Sequence, residues 1–369
     1  MGRGTILYVG NFELPDKGAS ANRVMTNRLL FREIGYRTAF LGVTREAQFD
    51  GIRPLGFDED IYERAYPSST RMWLERSYSL RDILAVAAKY DDLKMIIFYN
   101  SPYSLVKRAH RCFSKKGIKV LYDCTEWNAY TKGNKLKRLY KQYDARQIQH
   151  HLDRCVDGLI VISSLMDRQY QTKPKVLIPP LVDMDAPMWQ QKRTRDDGIF
   201  EFCYAGDPEG KDDLRLLIEA YAEVRKPATR LVIIGVQRED FLRAYPESSS
   251  LITGLADRLH FKGRVSHEEV ITQLINTDCF VFIRQPNLRN HAGFPTKFAE
   301  AYTSGTQIIA TDISDIRNYA DETIQILKEI SVESITQTMQ HALGRKSKAQ
   351  LRNSFDYRCY IDPVEHFFC

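Results

Sequence analysis

The sequence predicts an α/β protein of two doubly wound, Rossmann-like domains facing a cleft. Three observations carry this. Short apolar runs, rich in Val, Ile and Leu, recur along the 369 residues, and strands of a parallel sheet covered on both sides read in this way. Stretches of helical periodicity separate them, which argues for βαβ units. The alternation breaks once, between 174 and 200, where "PKVLIPPLVDMDAPMWQQKRTRDDGI" joins two adjacent prolines to a charged polar tract and reads as a linker.

In the first half the expected strands are "TILYV" (5–9), "TAFLGV" (38–43), "MIIFY" (95–99), "IKVLY" (118–122) and "GLIVI" (158–162). In the second half they are "EFCYA" (201–205), "RLVIIG" (230–235), "LHFKG" (259–263), "CFVFI" (279–283) and "QIIAT" (307–311). Helical stretches such as "ASANRVMTNRLLFREIG", "DDLRLLIEAYAEV" and "SHEEVITQLINT" lie between them. The boundary falls near 181, giving domains at 1–180 and 181–352 and a final segment, 353–369. The default ligand site of such a pair is the cleft between them.

Composition narrows the class. Hydrophobic residues make up 43% of the chain and charged ones 27%, as in ordinary globular proteins. The longest apolar runs fall far short of the ~20 residues of a membrane span. The opening "MGRGTILYVGN" lacks the apolar core of a signal peptide, and the seven cysteines are scattered without a C-x-x-C. A reduced, cytoplasmic setting follows as the expectation. Residues 1–180 hold 30 Lys and Arg against 19 Asp and Glu, and residues 181–369 hold 23 against 28. Charge divided in this way suggests a different partner for each half. The basic stretches at 107–119 and 132–151 fit either a solvated helix face or a surface for something anionic, such as a membrane or a lipid phosphate. No zinc-finger spacing or RNP-like signature supports nucleic acid.

Two glycine loops each lead from a strand into a helix. In "YVGNFELPDKGASANRV" (8–24) the loop holds Gly10 and Gly18, and the helix starts near Ala19. Backbone N–H groups at such a start suit an anion, although an ordinary βα turn reads the same way. In "FCYAGDPEGKDDLRLLIEA" (202–220), Gly206 and Gly210 precede Lys211, expected at the helix start. A cation there opposes the helix dipole unless an anion, such as a diphosphate, is shared.

A third stretch, "NHAGFPTKFAEAYTSGTQIIATD" (290–312), holds Gly293, Phe294 and Pro295 ahead of Thr296, Lys297 and Glu300. Proline suits a first helical position, so a helix is expected near Pro295. Gly293 permits close backbone approach to a ligand. Lys297 and the free N–H groups would face phosphate oxygens, and Glu300, at i+3 on the same face, would accept hydrogen bonds from ribose hydroxyls. A surface Lys–Glu pair would leave the Gly-Phe-Pro turn without a purpose.

These motifs resemble the donor domain of GT-B glycosyltransferases of family 4. Gly206 and Lys211 resemble the strand-glycine-lysine element that binds the donor diphosphate. "GRVSHEEV" (263–270) resembles the element flanking the nucleobase, with Arg264 and Val265 at its ligand edge. "AGFPTKFAEAYTSGTQIIAT" (292–311) resembles "E-G-F-[GP]-x-x-x-x-E-A-x-x-x-G-x-P-[VI]-I-A-[ST]" at most fixed positions. "DRCVDGLIVISSLMDRQY" and "VLIPPLVD" resemble the family's N-terminal and interdomain elements more loosely. The chain departs from the pattern at Ala292, where the family has a glutamate touching the donor sugar, and at Asp207, where an arginine often stands. Arg289, Asn290 and His291 are polar neighbours able to replace that sugar contact.

On the acceptor side, "LYDCTEWNAY" (121–130) follows a strand end, where ligand residues gather in open sheets. Asp123 and Glu126 are the candidates there, and turn formation explains them equally well. His150 and His151 read as surface residues of a basic helix. The resemblance implies a cytoplasmic GT-B glycosyltransferase, peripheral at the inner face of the cell membrane, acting in surface polysaccharide or glycolipid assembly. It would transfer a sugar from a UDP or GDP sugar to a lipid-linked or saccharide hydroxyl, with retention and without a metal or other cofactor. Lys211, Lys297 and Glu300 are the expected catalytic set. A nucleotide-sugar epimerase and an inactive binding protein of the same fold are the alternatives.

Overall fold

The computed structural model describes residues 2–56, 58–127, 135–208, 210–226, 228–345 and 350–368. The chain divides into two compact units, Met1–Leu181 with Ala292–Phe294 and Asp356–Cys369, and Val182–His291 with Pro295–Phe355. Residues 132–134 of the second basic stretch, and 128–130 beyond Glu126, lie outside the described residues.

Among the described residues, the first unit holds eight strands: β1 (Gly4–Gly10), β2 (Tyr36–Thr44), β3 (Arg53–Leu55), β4 (Asp58–Ala65), β5 (Leu93–Tyr99), β6 (Lys119–Cys124), β7 (Gly158–Val161) and β8 (Lys175–Leu177). Their order is β3-β4-β2-β1-β5-β6-β7-β8, parallel throughout except for the β3–β4 pair. The central strands read as continuous apolar runs because both faces are covered: β1 is buried along its whole length. β4, "DEDIYERA", offers no such run. Its edge is held by ion pairs, Arg37 to Asp60 at 2.7 Å and Arg53 to Glu63 at 2.6 Å, with Arg28 to Asp58 at 2.5 Å. The helix Ala19–Glu33 covers β1 and β2. The last helix, Ile361–Phe368, packs on it, Phe368 lying 5.2 Å from Phe31 and 5.7 Å from Tyr36 between ring centroids.

At the carboxyl end of the first sheet a dry ion pair corrects one expectation. Asp123, proposed from sequence as an acceptor contact, is 0% exposed. Arg23, on the helix Ala19–Glu33, donates to it from Nη2 at 2.7 Å and from Nε at 2.9 Å, and the Tyr8 hydroxyl donates to it too. Arg23 Nη1 also donates to the carbonyls of Ile178 and Pro179, at 3.0 and 3.1 Å. The carboxylate that looked poised for a ligand thus ties three segments of the first unit together. Removing one partner of such a pair costs about 3–5 kcal/mol. Glu126, close by, is half-buried.

The second unit holds β9 (Phe200–Ala205), β10 (Thr229–Ile234), β11 (Leu259–Gly263), β12 (Cys279–Phe282), β13 (Gln307–Ala310) and β14 (Ile324–Ile326). All pairs are parallel, in the order β11-β10-β9-β12-β13-β14. This is the doubly wound order that reverses direction between its first and fourth strands, and ligands of such sheets bind beyond the carboxyl ends at that reversal. The tract read as a linker is laid onto this unit. Trp189 is buried. Arg193 and Arg195 both bind Asp278, and the N–H groups of Thr194 and Arg195 donate to Asn276 Oδ1 at 2.8 and 3.0 Å.

The two basic stretches of the first unit become the helices Tyr103–Phe113 and Lys135–His151. Asp144 of the second caps the first, accepting from the Tyr103 N–H at 2.9 Å. Burial raises its carboxyl to about 6, although those backbone donors pull the other way. A carboxyl raised on folding favours the folded state below its unfolded value, and that contribution is lost as the pH climbs through about 6. Asp144→Asn keeps an accepting oxygen and removes the titration. Its melting temperature is therefore expected to equal or exceed that of the wild type at pH 8 and to vary less between pH 4 and 7, which thermal denaturation across that range will check.

Candidate functional site

The second unit's reversal point lies between β9 and β12, and the expected residues gather there. β9 runs into Gly206, whose N–H donates to the Ile234 carbonyl at 3.0 Å. Gly206 adopts a φ of 127°, open to glycine and closed to most side chains. A Cβ there would also lie 2.7 Å from the Lys297 ammonium. Gly235, at the end of β10, has a φ of 95° and would place a Cβ 2.6 Å from the Gly206 carbonyl. Gly206 therefore lets a buried ammonium rest against bare backbone, and Gly235 lets that backbone come close to the end of β10.

Beyond Gly206 the chain turns tightly. The N–H groups of Lys211 and Asp212 both donate to the Pro208 carbonyl, at 2.7 and 3.2 Å. Asp213 then donates to the Ile283 carbonyl at 2.7 Å and caps the helix Leu214–Ala222 by accepting from the Leu216 N–H at 3.1 Å. Lys211, expected at the helix start, thus lies in the turn three residues before it. An N-cap aspartate settles the dipole there. Leu214, Leu217, Ile218 and Tyr221 form the buried face of that helix.

Lys297 lies in the first turn of the helix Thr296–Thr303, and Pro295 is its N-cap. Its ammonium donates to Asp212 Oδ2 at 2.5 Å and to the Tyr204 hydroxyl at 3.0 Å, and sits 4.4 Å above the Tyr204 ring centroid. Arg284, two residues past β12, donates from Nε to Asp212 Oδ1 at 2.6 Å. The Tyr204 hydroxyl donates to Asp212 Oδ2 at 2.8 Å. Asp212, 0% exposed at its side chain, thus answers two cations. Burial alone would raise its carboxyl, yet Lys297 and Arg284 hold it below the usual carboxylate range. Burial lowers Lys297, against the pull of Asp212. Burial, then the Asp212 charge, pushes Tyr204 well above its ordinary value.

Glu300 projects one turn further along the same helix. Its Oε1 lies 2.9 Å from His267 Nε2. His267 opens the helix His267–Asn276, which begins with a capping box: Ser266 accepts from the Glu269 N–H at 3.2 Å, and Glu269 accepts from the Ser266 N–H at 2.9 Å. The "SHEE" of the sequence element is thus in part a helix-start signal. A cavity of about 320 Å³ opens between the turn holding Asp207 and Asp212 and the segment holding Phe241, with Gly210, Gly235, Tyr245 and Arg264 also in its wall. Arg264 is exposed and Val265 half-buried.

Other expected residues stand apart. Gly18 is the N-cap of the helix Ala19–Glu33, in the first unit. Gly293 and Phe294 group with the first unit, as does Ala292, which is buried and whose carbonyl accepts from the Ser163 hydroxyl at 2.6 Å. Sequence reasoning missed Tyr204, Asp212, Arg284 and His267. Arg284 had a signal, a charge directly behind the apolar run "CFVFI". Asp212 had none, because "KDDL" reads as a helix face.

Residues 185–358 match the family model of glycosyl transferases group 1. The whole chain has the GT-B fold. It is similar to sucrose-phosphate synthase from Thermosynechococcus elongatus, at 13% identity and TM-score 0.72, over 99% of this chain and 98% of that one. Anabaena Alr3699/HepE, solved with UDP and glucose, is similar at 13% identity and TM-score 0.70, over 99% of both chains. The lipopolysaccharide outer core galactosyltransferase WaaB is similar at 14% identity and TM-score 0.64, again over 99% of both. No curated protein sequence matches the chain significantly.

Asp212→Ala leaves Lys297 and Arg284 buried without their counter-charge. Chemical denaturation is expected to show a loss of about 3–5 kcal/mol, whereas a loss under 1 kcal/mol would mean that the cations reach solvent.

Proposed function

We propose that the second unit binds a UDP or GDP sugar and that the chain transfers the sugar to a hydroxyl acceptor. The observation that carries this reading is the packing of Lys297 on the Gly206 backbone, one helical turn ahead of Glu300, at the reversal of a doubly wound sheet. The matched family and the UDP named in the HepE structure favour a nucleoside diphosphate sugar as the ligand.

Chemically, cleaving the bond from the sugar to the diphosphate leaves negative charge on a phosphate oxygen. Lys297 and Arg284 already stand in a site of low solvent access, where fixed charges act strongly. In the free protein Asp212 engages them. A diphosphate would compete for the same donors, with Lys211 closing from its turn. Glu300 would hold the ribose. This reading assigns the departing charge to side chains instead of a metal ion, and transfer with retention at the anomeric carbon. The polar neighbours Arg289, Asn290 and His291 would take the donor-sugar contact that Ala292 lacks.

Lys297→Ala and Lys211→Ala are each expected to reduce kcat about 100-fold, with EDTA leaving transfer unchanged. Assays pair a panel of UDP and GDP sugars with polysaccharide-precursor acceptors, and NMR of the product reads the anomer. Chelation that stops transfer, restored by Mg²⁺, would assign the departing charge to a metal ion and not to the lysines. Conversion of the free donor without acceptor would favour an epimerase, and binding without turnover an inactive member of the fold.

The acceptor reading rests on the first unit. The helix Lys135–His151 carries Leu139 and Tyr143 exposed, while Lys137 and Lys141 lie 5.2 and 6.0 Å from the Trp73 ring centroid. Basic and apolar side chains together suit an anionic lipid surface, worth about 1 kcal/mol per Lys or Arg. Among the described residues no helix is long and apolar enough to cross a membrane. Peripheral contact at the inner face of the cell membrane, with a lipid-linked or saccharide acceptor in surface polysaccharide or glycolipid assembly, is the corresponding proposal. Flotation with phosphatidylglycerol vesicles at low salt, weakened by added salt and by charge reversal at Lys137 and Lys141, is the expected result. Equal flotation with neutral vesicles would overturn it.

A further inference from the structure

We propose that His267 is a positioning residue that makes the site select ribose over 2′-deoxyribose, acting through Glu300. This rests on the reading of the second unit as a nucleoside diphosphate site. His267 Nε2 lies 2.9 Å from Glu300 Oε1, and an ionised carboxylate only accepts, so the imidazole supplies the N–H. The two residues reach each other from separate helices, His267–Asn276 and Thr296–Thr303. Each end of the contact is anchored. The capping box of Ser266 and Glu269 fixes the backbone from which His267 projects, and Glu300 is mostly buried, with 13% side-chain exposure.

A carboxylate on a glutamate side chain turns freely about its last torsion, where the energy wells are broad. Lys297 is close enough for the Glu300 charge to act on its ammonium, so an unheld Glu300 has a competing partner. The imidazole takes Oε1 and leaves Oε2, which makes no hydrogen bond to the described residues. A vicinal diol presented to this edge then finds an acceptor already oriented, and a deoxyribose lacks one of the donors that would meet it. Preorganisation of this kind sharpens discrimination more than it strengthens bulk binding, because phosphate contacts made elsewhere are unchanged.

The test is calorimetric titration of the full chain with UDP, GDP and their 2′-deoxy forms. Wild type is expected to prefer the ribose form about tenfold, the value of one charged hydrogen bond. His267→Ala is expected to bring this ratio close to one while binding the deoxy forms as wild type does. His267→Gln, whose amide N–H falls near the imidazole Nε2, is expected to restore most of it. Retention of the wild-type ratio in His267→Ala overturns the inference and leaves the donor site standing. An equal loss of affinity for ribose and deoxyribose forms also overturns it, since that is what a merely structural histidine would produce. Failure of wild type to bind any of the four nucleotides overturns the nucleotide site itself, and the inference with it.

Discussion

One carboxylate, that of Asp212, is shared by both Lys297 and Arg284 where water barely reaches. The rest of the second unit's carboxyl edge is arranged around this sharing. The 206–213 turn brings the aspartate there, its Asp213 N–H clamped to the β12 end by the Ile283 carbonyl. The residue beyond the apolar core of β12 brings the guanidinium. The helix behind the Gly-Phe-Pro turn brings the ammonium, and Gly206 removes the side chain that would stand in its way. Each element is fixed by ordinary fold forces, and together they produce a buried cluster of net positive charge. Such a cluster is stable only while Asp212 or another anion is present.

The first unit solves a similar problem with the roles reversed. Arg23 and Asp123 are also buried, but the spare donor capacity of the guanidinium goes to the backbone carbonyls of Ile178 and Pro179. These contacts all lie within the first unit, and the pair is a fastening. The same residue types at a strand end thus serve structure in one sheet and a candidate binding site in the other. What separates them is where the remaining hydrogen bonds go.

Much of this fold was legible in the sequence, because parallel strands buried on both faces leave unbroken apolar runs. All ten strands expected from such runs are present. β4 escaped notice because its register is held by charged side chains, and β3, β8 and β14 because each spans three residues. In the site, Lys297 and Glu300 were legible from a helix start behind a Gly-Phe-Pro turn. Their partners were not. Asp212 and Arg284 are 72 residues apart, and no local pattern signals that two distant strand ends will share a carboxylate. Asp123 misled for the same reason: a strand-end acid looks alike whether it faces solvent or an arginine from the neighbouring helix.

The ion-paired margin of the first sheet gives its two edges different material character. β7 is buried along its whole length, near the far edge, and draws on the hydrophobic effect, which sulfate reinforces. At β3 and β4, arginine–carboxylate contacts add to the backbone ladder and to the buried Ile61 and Tyr62, and electrolyte screens their exposed members within about 8 Å at physiological ionic strength. Concentrated salt therefore acts on the sheet in opposite senses across its width, tightening the middle while loosening the outer hairpin. Heating works the other way at that hairpin, because charged groups become easier to dehydrate as temperature rises. The margin is thus an electrolyte-sensitive hem on an otherwise oily fabric, and a buffer chosen to firm one will slacken the other.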